Sequence, residues 1–154
     1  MKPTITLLAF KFCIQLFACN KSDEMTTNSN NTLGTSSMKI KITIGTNSFT
    51  ASLFNIATAT AFKAKLPLTI DMKELNGNEK YFDLPDNLPA NASNPGTIQT
   101  GDLMLYGSNT LVLFYKSFST SYNYTRLARI DNPSGLAAAL GSGNVTVRFE
   151  LSEQ

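Results

Sequence analysis

The chain predicts a mainly β fold, a closed antiparallel barrel of eight strands plugged by two short helices, lying within residues 38–154. Three observations point there. Short segments in which apolar and polar residues alternate strictly recur along this stretch, as half-buried strands require. Turn tripeptides such as Asn76-Gly77-Asn78, Asn94-Pro95-Gly96 and Gly107-Ser108-Asn109 separate them. Only two segments carry a helical signal. With this many strands, closure removes the exposed sheet edges that an open sheet would leave.

The elements follow in order. Lys39 to Ile44 alternates with Ile40, Ile42 and Ile44 on one face, and Ser48 to Leu53 repeats the pattern with Phe49, Ala51 and Leu53. The turn at Gly45-Thr46-Asn47 makes them a hairpin. Asn55 is an N-cap candidate for an Ala-rich helix reaching Leu66, which Pro67 ends. Leu68 to Met72 and Lys80 to Leu84 read as strands around Asn76-Gly77-Asn78. Pro85 to Gly96, with three Pro and three Asn, is a loop. Asp102 to Tyr106 and Thr110 to Tyr115 form another hairpin. Ser117 to Ile130 is less regular, with Tyr122, Tyr124 and Arg126 in alternation. Pro133 to Leu140 is a short helix stopped by Gly141. Asn144 to Leu151 closes the domain, with Val145, Val147, Phe149 and Leu151 inward.

Composition narrows the chemistry. Thirteen Lys and Arg against eleven Asp and Glu leave a net charge of +2, with no basic stripe of the kind a nucleic-acid surface needs. There is no His and there are only two Cys, so His-based triads, His-ligated zinc and disulfide scaffolds are excluded. No metal site, cofactor site or catalytic residue is read from the chain.

Residues 1–18 read as a leader. Lys2 gives a short positive start, and Ile5 to Ala18 is mostly apolar but too short for a permanent span, which needs about 20 apolar residues. Leu16-Phe17-Ala18-Cys19 resembles the lipobox of bacterial lipoproteins, which implies lipidation at Cys19 and a membrane partner through that anchor. The expected location is the bacterial cell envelope, periplasmic or surface-facing. Cleavage before Cys19 removes Lys2 and Lys11 and leaves eleven charges of each sign. Residues 19–37, rich in Asn, Ser and Thr, read as a flexible polar tether.

Four further segments agree in order and spacing: Asn76 to Phe82, Asn94-Pro95-Gly96 leading into Gly101 to Gly107, Leu111 to Tyr115, and Gly143 to Phe149. Together they resemble the prokaryotic cyclophilin-like family of small β-barrels, over about Lys39 to Leu151. The resemblance implies an eight-stranded barrel with a helix capping each end. It also raises peptidyl-prolyl isomerase activity as the alternative function. Enzymatic cyclophilins place an Arg in a Phe-His-Arg-like strand motif beside a Trp and a His. The comparable strand here is Glu79 to Asp83, which has no Arg, and the chain has neither Trp nor His.

The leading expectation is therefore a non-enzymatic binding module. Four of the five Tyr lie between Tyr106 and Tyr124, and Tyr with Arg is a common binding-surface composition. Tyr106, Tyr115, Lys116, Tyr122, Tyr124 and Arg126 are the candidate lining of a groove for a peptide or small ligand. The competing reading is that strands favour Tyr as cross-strand pairs on a solvated face. Asp102, following Gly101, is expected to bond backbone amides at its turn. Glu79 and Lys80, beside Asn76-Gly77, are expected on a solvated turn.

Overall fold

The computed structural model describes residues 38–152; the leader, the tether and Cys19 lie outside the described residues. Twelve elements follow in chain order within them: β1 (Lys39–Ile44), β2 (Asn47–Leu53), α1 (Ala57–Lys63), β3 (Leu68–Leu75), β4 (Glu79–Asp83), β5 (Thr97–Ile98), β6 (Asp102–Tyr106), β7 (Thr110–Phe114), β8 (Phe118–Ser119), β9 (Thr125–Ile130), α2 (Leu136–Leu140) and β10 (Val145–Leu151). Eight strands close a barrel in the order β1-β10-β3-β4-β7-β6-β9-β2, and β5 pairs with β8 in a separate two-stranded sheet. All barrel pairings are antiparallel.

Alternation decides what fills the barrel. Ile40, Ile42, Ile44, Ala51, Leu53, Ile70, Met72, Leu103, Leu105, Leu111, Leu113, Val147 and Phe149 are buried in one cluster. The connections place the helices. α1 joins the end of β2 to the start of β3, and α2 joins the end of β9 to the start of β10, so the antiparallel order puts them at opposite ends of the barrel. Each plugs its end with apolar side chains. Phe62 of α1 is fully buried and meets Phe149 edge-on, with ring centroids 5.7 Å apart, while Leu136 and Leu140 of α2 join the same cluster.

The elements depart from the expected pattern in places. β3 runs on to Leu75, because Lys73, Glu74 and Leu75 pair with Tyr81, Lys80 and Glu79. Ile56, not Asn55, takes the N-cap position of α1, with no side-chain cap bond, and the helix ends at Lys63. Ser117 to Ile130 resolves into the two-residue β8 and the barrel strand β9. Leu151 is half exposed, since β10 has by then run past the interior. Between β6 and β9 the register shifts at Leu103 and Met104, which face Ala128 and Arg126, leaving Leu127 as the extra residue of a bulge. Asp102 behaves as expected of its turn. Its carboxylate is 1% exposed, accepts the Gln99 backbone N–H at 2.8 Å, and pairs with the Arg129 guanidinium at 2.7 Å.

Candidate functional site

β4 lies between β3 and β7, and both of its faces are covered. Its side chains point alternately inward and outward, so its two charged neighbours, Glu79 and Lys80, enter different environments. Neither is solvated. Lys80 is fully buried and Glu79 is 8% exposed, which overturns the expectation of a solvated turn.

Lys80 points into the barrel, where burying an ammonium requires partners. It donates to the Glu74 carboxylate, to the Gly141 carbonyl at 2.9 Å and to the Gly143 carbonyl at 2.6 Å. Gly141 is the C-cap of α2, so this bond ties β4 to the helix that plugs its end. Its ammonium also lies 5.3 Å from the centre of the Tyr115 ring. The Tyr115 hydroxyl donates to both Glu74 oxygens, at 2.8 and 2.9 Å, and Gly77 N–H donates at 2.9 Å. Burial works to raise the Glu74 pKa, but these bonds and the Lys80 charge hold it below the usual carboxylate range. Burial, followed by the Glu74 contact, pushes the Tyr115 hydroxyl up to about 12.

Glu79 points outward with Tyr81 and Asp83. Outside the barrel wall Met104, Val112, Phe114 and Tyr124 form a second buried cluster with Ile98 of β5, against which Tyr81 and Phe118 pack. Phe114 contacts Phe118 at 5.7 Å and Tyr124 at 5.5 Å between ring centres. Tyr124 is fixed through its backbone, which exchanges two 3.0 Å hydrogen bonds with Ser93. Thr120, whose N–H reaches the Gly96 carbonyl, accepts the Tyr122 N–H on its hydroxyl at 3.1 Å and so sets the strand-to-strand loop.

These pieces enclose a cavity of about 390 Å³. Tyr81, Tyr106, Tyr122, Tyr124, Val112 and Phe118 wall it, and Asn78, Glu79 and Asp83 supply polar groups. Tyr106 stands at its mouth with ring centroids 6.2 Å from Tyr122 and 5.6 Å from Tyr124. Burial and the charge of Glu74 push the Glu79 pKa up. Burial, then the Glu79 charge, pushes the Tyr124 hydroxyl up to about 12. Two other cavities, of about 490 and 570 Å³, border Arg126; neither holds a buried charged side chain.

The expected groove therefore divides. Tyr106, Tyr122 and Tyr124 share the outer cavity. Tyr115 faces the interior, Lys116 is exposed beside the Tyr115 ring, and Arg126 lines the neighbouring cavities. Tyr81, Asn78 and Glu79 join the site without having been expected there. One signal was available in the sequence. Tyr106 pairs with Thr110 across the hairpin, so residues 110, 112 and 114 share its face and 115 must take the other.

The model of the cyclophilin-like family matches residues 42–150, which run from β1 into β10. The chain belongs to the cyclophilin-like family. A search of curated proteins finds no match. The solution structure of a hypothetical protein from Archaeoglobus fulgidus is similar, with a TM-score of 0.53 at 17% identity over 75% of this chain and 95% of that one. At that identity the likeness speaks for the fold alone. Within this cyclophilin-like barrel, the outward positions of β4 are Glu79, Tyr81 and Asp83, and none of Arg126, Arg129 or Arg148 lines the tyrosine cavity.

Proposed function

We propose that this cyclophilin-like domain is a non-enzymatic binding module of the bacterial cell envelope, anchored by lipid at Cys19 and holding a peptide or small ligand in the cavity of Tyr106, Tyr122 and Tyr124. The tyrosine-walled cavity carries the reading. Its volume falls in the range of ligand pockets, about 300–1,000 Å³, and apolar walls with a few convergent polar groups are their usual lining. Tyr106 and Tyr122 are 47% and 62% exposed, and large exposed aromatics beside a concave site are typical of binding surfaces. Prolyl isomerisation needs a donor aimed at the prolyl nitrogen to weaken amide resonance. No guanidinium lines this cavity to supply one, so the binding reading is preferred.

The test is a screen of short peptides and small molecules against the full chain, read by amide chemical shifts around Tyr106, Tyr122 and Tyr124. Tyr106→Ala combined with Tyr122→Ala should weaken any hit at least tenfold while leaving the unfolding midpoint almost unchanged. Hits that bind the double variant as well as the parent refute the site. For the anchor, Cys19→Ser should move the protein from the membrane to the soluble fraction, and continued membrane retention refutes it.

A further inference from the structure

Glu79 is a largely buried carboxylate whose oxygens stay open to the cavity. It is 92% buried, yet among the described residues no hydrogen bond or ion pair reaches it. Beside it the Asn78 side-chain oxygen is buried and also without a hydrogen-bond donor. Such groups are costly to leave unpaired, by about 1–3 kcal/mol for a neutral group and more for a charge. Both line the tyrosine cavity. Neither nearby cation pairs with Glu79. Lys80 points into the barrel, and Lys73 lies 5.8 Å from the centre of the Tyr81 ring without contacting Glu79.

What the cavity lacks is a cation: no Lys or Arg is among its lining residues. Its charged groups are both carboxylates, Glu79 within and Asp83 at the edge, where Asp83 already receives the Thr110 hydroxyl at 2.7 Å. Its donors, the tyrosine and Thr110 hydroxyls and the Asn76 and Asn78 amides, are all neutral. Its walls present four tyrosine rings, whose faces attract cations, an effect worth about 0.5–2 kcal/mol according to desolvation. A neutral apolar ligand would fill the volume but strand the carboxylate further from water. A cation bearing N–H groups would pair with the Glu79 carboxylate and face the rings.

We propose that the ligand of this cavity carries a primary ammonium on an apolar stem, seated with its N–H groups on Glu79 and its stem against the tyrosine rings. The proposal deepens the binding-module reading and rests on it. A lysine side chain and a free alkylamine share this chemistry.

The experiment titrates the full chain with a lysine-centred tripeptide capped at both termini, with the same capped peptide acetylated on its side-chain nitrogen, and with n-butylamine, reading amide shifts around the cavity. The charged peptide should bind at least about tenfold more tightly than its acetylated form, a difference of about 1.4 kcal/mol. Glu79→Gln, which keeps the shape, should remove that preference, and its unfolding midpoint checks that it folds. Comparable binding of n-butylamine assigns the source to a free amine, and tighter peptide binding assigns it to a lysine side chain. Equal affinity of the two peptides, a preference that survives Glu79→Gln, or no binding of any cationic probe overturns the proposal. In those cases a neutral hit from the screen that maps to Tyr106 and Tyr122 keeps the binding module. Absence of any ligand there removes both.

Discussion

Replacing Lys80 by Met tests the account of the barrel end most severely. Met retains much of the lysine stem and removes only the ammonium, which is fully buried and has three acceptors. Breaking a buried pair by deleting one partner typically destabilises by about 3–5 kcal/mol. Here the remaining groups have some relief. The Glu74 side chain is 21% exposed and keeps bonds from Tyr115 and Gly77, and Gly141 and Gly143 are themselves exposed. The lower end of that range is therefore expected, about 3 kcal/mol, or a fall in the unfolding midpoint on the order of 10 °C for a domain of this size. The chain has no Trp, so thermal and urea unfolding are best followed by far-ultraviolet circular dichroism and tyrosine emission. Glu74→Gln and the double variant complete a cycle, and the double variant should be less destabilised than the two single effects added together. A Lys80→Met domain within about 0.5 kcal/mol of the parent, the range of ordinary surface changes, would refute the argument.

Glu79→Gln should stabilise the domain at pH 7 by an amount on the order of 1 kcal/mol, because the fold buries an unpaired carboxylate there. The sign with pH follows from the raised pKa of Glu79. The folded state binds a proton more readily than the unfolded one, so stability falls as pH rises through the folded value. The advantage of the variant should be greatest at neutral pH and shrink as pH falls toward 4.5; an advantage independent of pH contradicts this assignment. Gly101→Ala should be destabilised by about 1–3 kcal/mol, since φ there is +89° and an added Cβ would lie 3.1 Å from the Ile130 Cβ and 3.2 Å from the Pro133 Cβ. Thermal unfolding within experimental error of the parent would show that the β9–α2 corner can yield.

Most of the barrel was legible because its strands obey a period of two. Ile40, Ile42 and Ile44 announce their face, and the hairpin at Gly107-Ser108-Asn109 announces its register. β5 and β8 were not legible, because two residues are too few to display any period, and their pairing is set by contacts about twenty residues apart. The site was partly legible. Tyrosine density marked Tyr106, Tyr122 and Tyr124, but density ignores parity and so also gathered Tyr115, which belongs to the interior. Glu79 and Lys80 were misread for a related reason. Charges after an Asn-Gly turn ordinarily meet water, and nothing local reveals that the turn after α2 receives the Lys80 ammonium on one side of β4 and the tyrosine layer covers the other.

The opposite facing of Glu79 and Lys80 also makes β4 sensitive to misalignment. Slipping this strand by a single position against β3 and β7 would exchange the two, sending an anion toward the carboxylate of Glu74 and an ammonium among the tyrosines. Apolar residues at those positions would forgive such a slip far more readily. Two adjacent opposite charges thus act as a key that rejects any odd-numbered slip of β4.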